Sequence, residues 1–138
     1  RKDIERALEL APEMDEALIA MGETNFDDKM YDKAIDNFSK ALEGDAERPA
    51  AQYKLGMALI YSGKDNQGVK HLQKAVQYGY EDPEVFRTLG YKYKELGKRQ
   101  QAIKAFKEFL KKSAKKEDIP AQTKREMIDQ IQQMGGSL

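Results

Sequence analysis

The sequence predicts an all-α solenoid, in which helix-turn-helix hairpins stack one after another and a C-terminal helix caps the stack. The first observation is a repeat, because Gly22, Gly56 and Gly90 follow one another at intervals of 34 residues. The second is that apolar residues recur at steps of three and four, which is helical spacing, twice in each interval. The third is a composition of 35% charged and 40% hydrophobic residues, which is typical of soluble, mostly helical chains.

Each interval is predicted to hold two amphipathic helices that approach closely. A small residue lies twelve positions after each glycine, and a larger apolar residue lies four positions further on: Ala34 and Phe38, Gly68 and Leu72, Ala102 and Phe106. Small residues let two helix backbones approach, and the larger side chains fill the space beside them. Repetition follows because one hairpin cannot bury its own apolar face.

The turns inside two of the hairpins are marked by glycine. Gly63 and Gly97 each come seven residues after a repeat glycine, where the first helix must stop. Glycine adopts the left-handed conformation that ends a helix at the least cost. We therefore expect both residues to have positive φ.

These marks resemble the tetratricopeptide repeat (TPR) family, whose period and small/large pattern they match. Full repeats are predicted at 15–48, 49–82 and 83–116, and the segments YDKAIDNFSKAL and RQQAIKAFKEFL look like the second helix of a family repeat. The resemblance implies a right-handed α-solenoid. Four residues depart from the family pattern, and we expect local repacking around them: Asn25, Gln52, Gly68 and Phe109.

The two ends complete a single predicted domain over residues 1–138. Residues 1–14 resemble the second helix of a truncated repeat and the turn after it, with Ala7 and Pro12 in register. Residues 117–138 are predicted to contain the capping helix. Its apolar stripe is expected at Met127, Ile128, Ile131 and Met134.

Charge and cysteine content exclude several classes of function. The chain has 24 basic and 24 acidic residues, whereas a nucleic-acid-binding protein would be expected to be basic. No apolar run approaches the ~20 residues needed to cross a bilayer, so membrane insertion is not expected. Cysteine is absent, which excludes disulfides and thiolate metal sites, and both cytoplasm and periplasm remain open as the location of a soluble protein.

Catalytic chemistry is not predicted, nor is a cofactor or a metal. The single histidine, His71, is expected to face solvent without catalytic partners. Acidic pairs beside turns are expected to cap helices: Asp27-Asp28, Glu81-Asp82 and Glu117-Asp118. The basic run from Lys104 to Lys116 is interpreted as a solvated helix end, with recognition of an acidic partner as the alternative.

The resemblance implies that the first helices of the repeats line a concave groove that binds another protein. The groove is expected to be apolar at its centre, around Tyr53, Met57 and Tyr91, and to hold an apolar segment, extended or helical. The alternative is that several of these side chains only pack between helices. The candidate residues are Ile19, Glu23, Phe26, Tyr53, Lys54, Met57, Ile60, Arg87, Tyr91 and Lys94.

One form of ligand recognition known in the family is not expected here. Family co-chaperones grip a terminal carboxylate with Lys, Asn and Arg side chains at five groove positions. The corresponding residues of this chain are Ile19, Glu23, Lys54, Glu84 and Thr88. Two carboxylates and an isoleucine in place of donors would repel a terminal carboxylate.

A second interpretation is a structural scaffold that assembles head to tail through its terminal helices. Residues 1–50 contain 7 basic and 14 acidic residues, whereas residues 51–138 contain 17 and 10. Opposite charges would orient a weak association that apolar docking stabilises. The acidic face would hold Glu5, Glu9, Glu13, Asp15 and Glu16, and the basic face Lys111, Lys112, Lys115, Lys116, Lys124 and Arg125.

Overall fold

Seven α-helices form the regular structure of the part of the chain that is described. The computed structural model describes the backbone of residues 2–137 and the side chains of residues 14–137, and this part contains no strand. The helices are α1 (Lys2–Asp27), α2 (Tyr31–Gly44), α3 (Pro49–Tyr61), α4 (Asp65–Gln77), α5 (Glu84–Glu95), α6 (Arg99–Ser113) and α7 (Ala121–Gln133). They fall into two compact units, of which the first ends at Tyr80 and the second begins at Glu81. The predicted all-α class is confirmed.

Unit 1 contains two helical hairpins. Helix α1 packs against α2, α3 packs against α4, and α2 joins the hairpins by packing against α3. The core between them buries Phe38, Leu55 and Leu59, with Ile19 and Phe26 packed against its edge. The core is therefore made by the apolar stripes that the repeat pattern predicts.

A pair of glycines sets the spacing of the hairpin formed by α3 and α4. A Cβ atom on Gly56 would lie 2.9 Å from the carbonyl oxygen of Gly68, and a Cβ atom on Gly68 would lie 2.8 Å from the carbonyl oxygen of Gly56. Both distances are too short for real contacts, so neither position has room for a side chain. In the hairpins that begin with α1 and α5, the corresponding Gly22 and Gly90 instead face the rings of Phe38 and Phe106.

The turns inside the hairpins use the left-handed conformation. Gly63 and Gly97 have φ of 87° and 76°, as predicted for residues that end a first helix. At the corresponding position of the first hairpin, Lys29 has φ of 62°. A side chain with a Cβ atom is disfavoured in this conformation, so this turn carries a backbone cost that the other two avoid.

Unit 2 consists of one hairpin and the C-terminal helix. Helix α5 packs against α6, and α7 packs against α6. Met127 and Ile131 of α7 are fully buried, while Ile128 and Met134 are half-buried, so the predicted stripe faces the unit. Phe109, where the family pattern has a small residue, is also buried.

The start of the chain differs from the expected break between a truncated repeat and repeat 1. Helix α1 continues from Lys2 to Asp27, so the backbone contains no turn near Pro12. Residues Glu13 to Ala20 include several strong helix formers, which favours continuation of the helix through this region. The side chains of Ala7, Pro12, Glu5, Glu9 and Glu13, on which the predicted register and acidic face depend, lie outside the described residues.

Within residues 2–137, no helix is both long enough and apolar enough to span a membrane.

Candidate partner-binding surface

A pocket of about 430 Å³ opens between helices α1 and α3 of unit 1. It includes five of the ten predicted groove residues, namely Glu23, Phe26, Tyr53, Lys54 and Met57. The remaining lining residues are Asp27, Phe38 and Tyr61. The pocket therefore combines apolar and aromatic walls with three charged side chains.

One wall of this pocket is formed by the rings of Phe26 and Tyr61, which are held in place by the ring of Tyr31 beside the pocket. The ring centroid of Phe26 lies 5.4 Å from that of Tyr31 and 5.4 Å from that of Tyr61, both in edge-on contacts. The rings of Tyr31 and Tyr61 stack at 5.5 Å. Tyr61 is nevertheless 56% exposed. We call these three residues the aromatic triad; because each ring contacts the other two, the wall is formed before any ligand arrives.

Tyr31 is absent from the predicted groove set. It is the first residue of α2, whereas all ten predicted groove residues lie on the first helix of a repeat. The signal that could have found it is the aromatic residue directly after the turn that separates α1 from α2. Its contacts with Phe26 and Tyr61 bring residues from three helices to one place.

A second wall of the pocket comes from the middle of α3. The ring of Tyr53 stacks on Tyr80 with a centroid distance of 4.4 Å. Met57, one helical turn further along α3, is half-buried. A flexible methionine beside held aromatic rings gives a surface that adapts to different apolar side chains.

The charged residues of the pocket are unevenly paired. The Lys54 ammonium lies 3.0 Å from the Glu23 carboxylate. Asp27, the last residue of α1, has no ion-pair partner among the described side chains. The pocket therefore carries one carboxylate in excess. Asp27 does not cap the next helix as predicted, because α2 begins after Met30 without a side-chain cap.

Two predicted groove residues do not line the pocket. Ile19 packs against the hydrophobic core of unit 1. Ile60 points toward α4, because its Cγ1 atom would lie 2.6 Å from a Cβ atom on Gly68. Both side chains thus follow the alternative interpretation, in which they pack between helices.

The remaining predicted groove residues belong to α5 of unit 2. Arg87 lies 2.8 Å from Glu84 and 3.8 Å from Glu126 of α7. Its guanidinium also lies 5.8 Å from the ring centroid of Tyr91, and its hydrogen bond to Glu84 raises its pKa. Burial raises the pKa of the Tyr91 phenol. Lys94 donates to the side-chain oxygen of Gln130 at 2.6 Å. Both charged residues of α5 in the predicted groove, Arg87 and Lys94, therefore contact side chains of α7.

The expectation that His71 faces solvent is wrong. His71 is half-buried, and its Nδ1–H donates to the side-chain oxygen of Gln52 at 2.7 Å. The amide nitrogen of Gln52 donates to the Ala46 carbonyl at 2.8 Å, which fixes the orientation of this buried amide. Burial, and then the charge of Lys74, lower the pKa of His71. The local repacking expected around Gln52 thus takes the form of a hydrogen bond to His71, which the repeat pattern does not predict.

The other polar clusters show no catalytic arrangement among the residues described. The side-chain oxygen of Asp82 accepts from the backbone N–H of Glu84 at 3.0 Å, near the start of α5, whose N-cap residue is Pro83. In the described part of the chain, no three His, Asp or Glu side chains come together as a metal site would require. Asp15 and Glu16, from the predicted acidic face, both lie beside Arg48.

Comparison with known proteins shows two matches to models of the tetratricopeptide repeat, over residues 25–90 and residues 88–115. Anaphase-promoting complex subunit 3 of Schizosaccharomyces pombe is 26% identical over 102 residues, which are 74% of this chain. The chain spans 15% of the length of that relative.

Two solved structures show the same fold. A crystal structure of MamA has a TM-score of 0.70 and 27% identity, and the match covers 76% of this chain and 61% of MamA. The first TPR domain of Spaghetti (RPAP3), bound to the HSP90 peptide SRMEEVD, has a TM-score of 0.75 and 19% identity. That match covers 90% of this chain and 95% of the Spaghetti domain.

Proposed function

Since this chain belongs to the tetratricopeptide repeat family, whose domains are typically non-enzymatic protein interaction modules, we propose that it is an adaptor that holds an apolar segment of a partner protein. The observation that carries the proposal is the pocket of about 430 Å³ between α1 and α3, with its walls of aromatic residues and methionine. Concave sites with apolar walls and a few polar groups are the usual form of a binding site.

The anchor of the segment would enter between Tyr53, Met57 and the aromatic triad. Tyrosine and methionine provide apolar contact area, and the rings are already held by stacking, so little side-chain ordering is needed on binding. Arg87, Tyr91 and Lys94 of α5 are proposed as a separate contact surface on unit 2. The peptide held by the Spaghetti domain supports a peptide segment as the general type of ligand.

The proposed ligand is not a terminal carboxylate. Glu23 and Lys54 occupy two of the positions at which family co-chaperones use asparagine to grip that group. Here the two side chains form an ion pair at 3.0 Å. A carboxylate that approached them would be repelled by Glu23 and Asp27. Lys54, the only ammonium that lines the pocket, is already paired with Glu23.

The proposal is tested by selecting peptides from a random phage-displayed library on the immobilised chain. A selected peptide is then titrated against the wild type and against a Tyr53→Ala plus Met57→Ala variant. Because these are central contact residues, binding should weaken at least about tenfold. A Met21→Ala plus Leu96→Ala variant, which removes exposed apolar residues that do not line the pocket, should bind normally.

Two results would contradict the adaptor. Either no peptide is enriched, or the Tyr53→Ala plus Met57→Ala variant binds as well as the wild type while keeping its helical circular dichroism. The head-to-tail scaffold predicts instead that the chain self-associates with rising concentration in sedimentation experiments. Asp15 and Glu16 share one cation, Arg48, which reduces the charge of the predicted acidic face within the described residues.

A further inference from the structure

The pocket in unit 1 has an electrostatic preference as well as apolar walls. Its charged lining consists of Glu23, Asp27 and Lys54, and the first and last of these neutralise each other. Asp27 remains as an exposed carboxylate without an ion-pair partner among the described side chains. Lys29 and Lys33, the next lysines along the chain, line a separate depression together with Tyr31.

The end of helix α1 adds to the same preference. Asp27 is the last residue of α1, and the last turn of this 26-residue helix contains no basic residue. The C-terminal end of a helix carries a partial negative charge from its aligned peptide dipoles, which favours a cation nearby. A carboxylate placed there adds a full negative charge to the same location. Two independent features thus make this end of the pocket attractive to a positive group.

The aromatic triad offers a further contact for a cation. Tyr61 is 56% exposed and is held by the rings of Phe26 and Tyr31, and both Tyr61 and Phe26 line the pocket with Asp27. A guanidinium or ammonium within about 6 Å of an aromatic ring centroid is attracted by the ring, and the flat guanidinium also stacks on it. Carboxylate and rings together would bind a cation attached to an apolar segment.

We infer that the partner segment carries an arginine or lysine beside its apolar anchor, and that this cation binds at Asp27 and the exposed ring of Tyr61. The inference rests on the proposed adaptor function and specifies the partner that the pocket takes. The apolar anchor provides contact area against Tyr53 and Met57, whereas the basic residue sets the direction in which the segment lies. Acidic segments would be rejected by the same carboxylate.

The test uses the peptides selected from the phage-displayed library and a matched pair of variants. The enriched peptides should place Arg or Lys within a few residues of an apolar side chain. One such peptide, and the same peptide with its basic residue replaced by glutamine, are titrated against the wild type and Asp27→Asn. For the basic peptide, Asp27→Asn should weaken binding about two- to fivefold, the value of one exposed charge pair.

The glutamine peptide should not distinguish Asp27→Asn from the wild type, and added salt should reduce the advantage of the basic peptide. Asp28→Asn is the control, because Asp28 is an exposed neighbour that does not line the pocket, and it should bind like the wild type. Enriched peptides without basic residues would overturn the inference and leave the adaptor intact. Equal losses for both peptides, or for both variants, would also overturn it. Absence of any enriched peptide would overturn the adaptor and this inference with it.

Discussion

The hairpin formed by α3 and α4 is expected to need glycine at both Gly56 and Gly68, because Leu72 is smaller than the phenylalanine at the same position of the other hairpins. The corresponding residues of the other hairpins are Phe38 and Phe106, whose rings lie over Gly22 and Gly90. A leucine fills less space than a phenylalanine, so α3 and α4 approach until the backbones of Gly56 and Gly68 meet. The other two hairpins have alanine at the position of Gly68. We therefore predict that Gly68→Ala destabilises the protein although alanine favours a helix.

The magnitude follows from two opposing terms. Alanine in place of glycine inside a helix stabilises by ~1 kcal/mol, because it reduces the entropy lost on folding. The added Cβ atom would lie 2.6 Å from Cγ1 of Ile60 and 2.8 Å from the Gly56 carbonyl oxygen. Because that oxygen belongs to the helix backbone, the two helices must separate, and overpacking of this kind costs ~1–3 kcal/mol. Since the Cβ atom overlaps both a side chain and the backbone, the cost lies above the low end of that range, and the net loss in the free energy of unfolding should be about 1–2 kcal/mol.

The assay is urea unfolding followed by far-ultraviolet circular dichroism, with the slope of the transition compared between variants. Leu72→Phe in the same chain should restore the wider spacing of the other hairpins. The double variant should therefore be more stable than the sum of the single effects predicts, by at least about 1 kcal/mol. A Gly68→Ala variant as stable as the wild type, or strictly additive effects in the double variant, would refute the reasoning.

Two further predictions concern the polar pair and the first turn. The lowered pKa of His71 means that the unfolded chain binds a proton more readily, so the free energy of unfolding should fall as pH drops below the ordinary value of 6.5 and level off below the lowered pKa. His71→Asn should remove this dependence in urea unfolding at several pH values, since the chain has no other histidine; an equal pH slope in the variant would contradict it. Lys29→Gly should increase the free energy of unfolding by about 0.5 kcal/mol. Glycine removes the strain of the left-handed conformation, and this gain exceeds the cost of the greater freedom that glycine gives the unfolded chain. Gly63→Lys should instead lower the stability. In thermal unfolding, a lower midpoint for Lys29→Gly or a higher midpoint for Gly63→Lys would contradict the prediction.

The sequence was sufficient to predict the helices because the repeat encodes them locally. The interval of 34 residues, the small and large apolar positions, and Gly63 and Gly97 predicted where helices pair and where they stop. The continuity of α1 through Pro12 could not be predicted in the same way. A proline can mark a turn, but it can also lie within a helix that lacks one backbone hydrogen bond.

The pocket was only partly predictable because it depends on contacts between helices. Position within a repeat placed Tyr53, Lys54 and Met57 on the face of α3 that lines the pocket. It could not show that Ile60 turns toward α4, or that Tyr31 on α2 would stack on Tyr61. Such contacts are decided by the side chains opposite each residue, and a pattern read along one helix does not contain them.

The polar departures from the family pattern are explained by pairs. The Asn25 amide nitrogen donates to the Asn37 side-chain oxygen at 2.7 Å, and Asn37 is only 8% exposed. Gln52 accepts from His71, and it is 3% exposed. A buried polar group without a partner costs ~1–3 kcal/mol, so each of these residues is tolerated because the facing helix supplies its partner.

It follows that the hairpins of this chain are not interchangeable, although they share one pattern. Asn37 and His71 lie at the same position of the 34-residue interval, whereas their partners Asn25 and Gln52 lie at different positions of it. Exchanging α2 and α4 between the first two hairpins would therefore lose both hydrogen-bonded pairs, and it would bring Phe38 over Gly56. Such an exchange changes hydrogen-bond geometry and helix spacing together. The hydrogen-bonded pairs therefore give each helix a preferred partner. A chain of identical repeats would make the same apolar contacts in every hairpin and would not provide this preference.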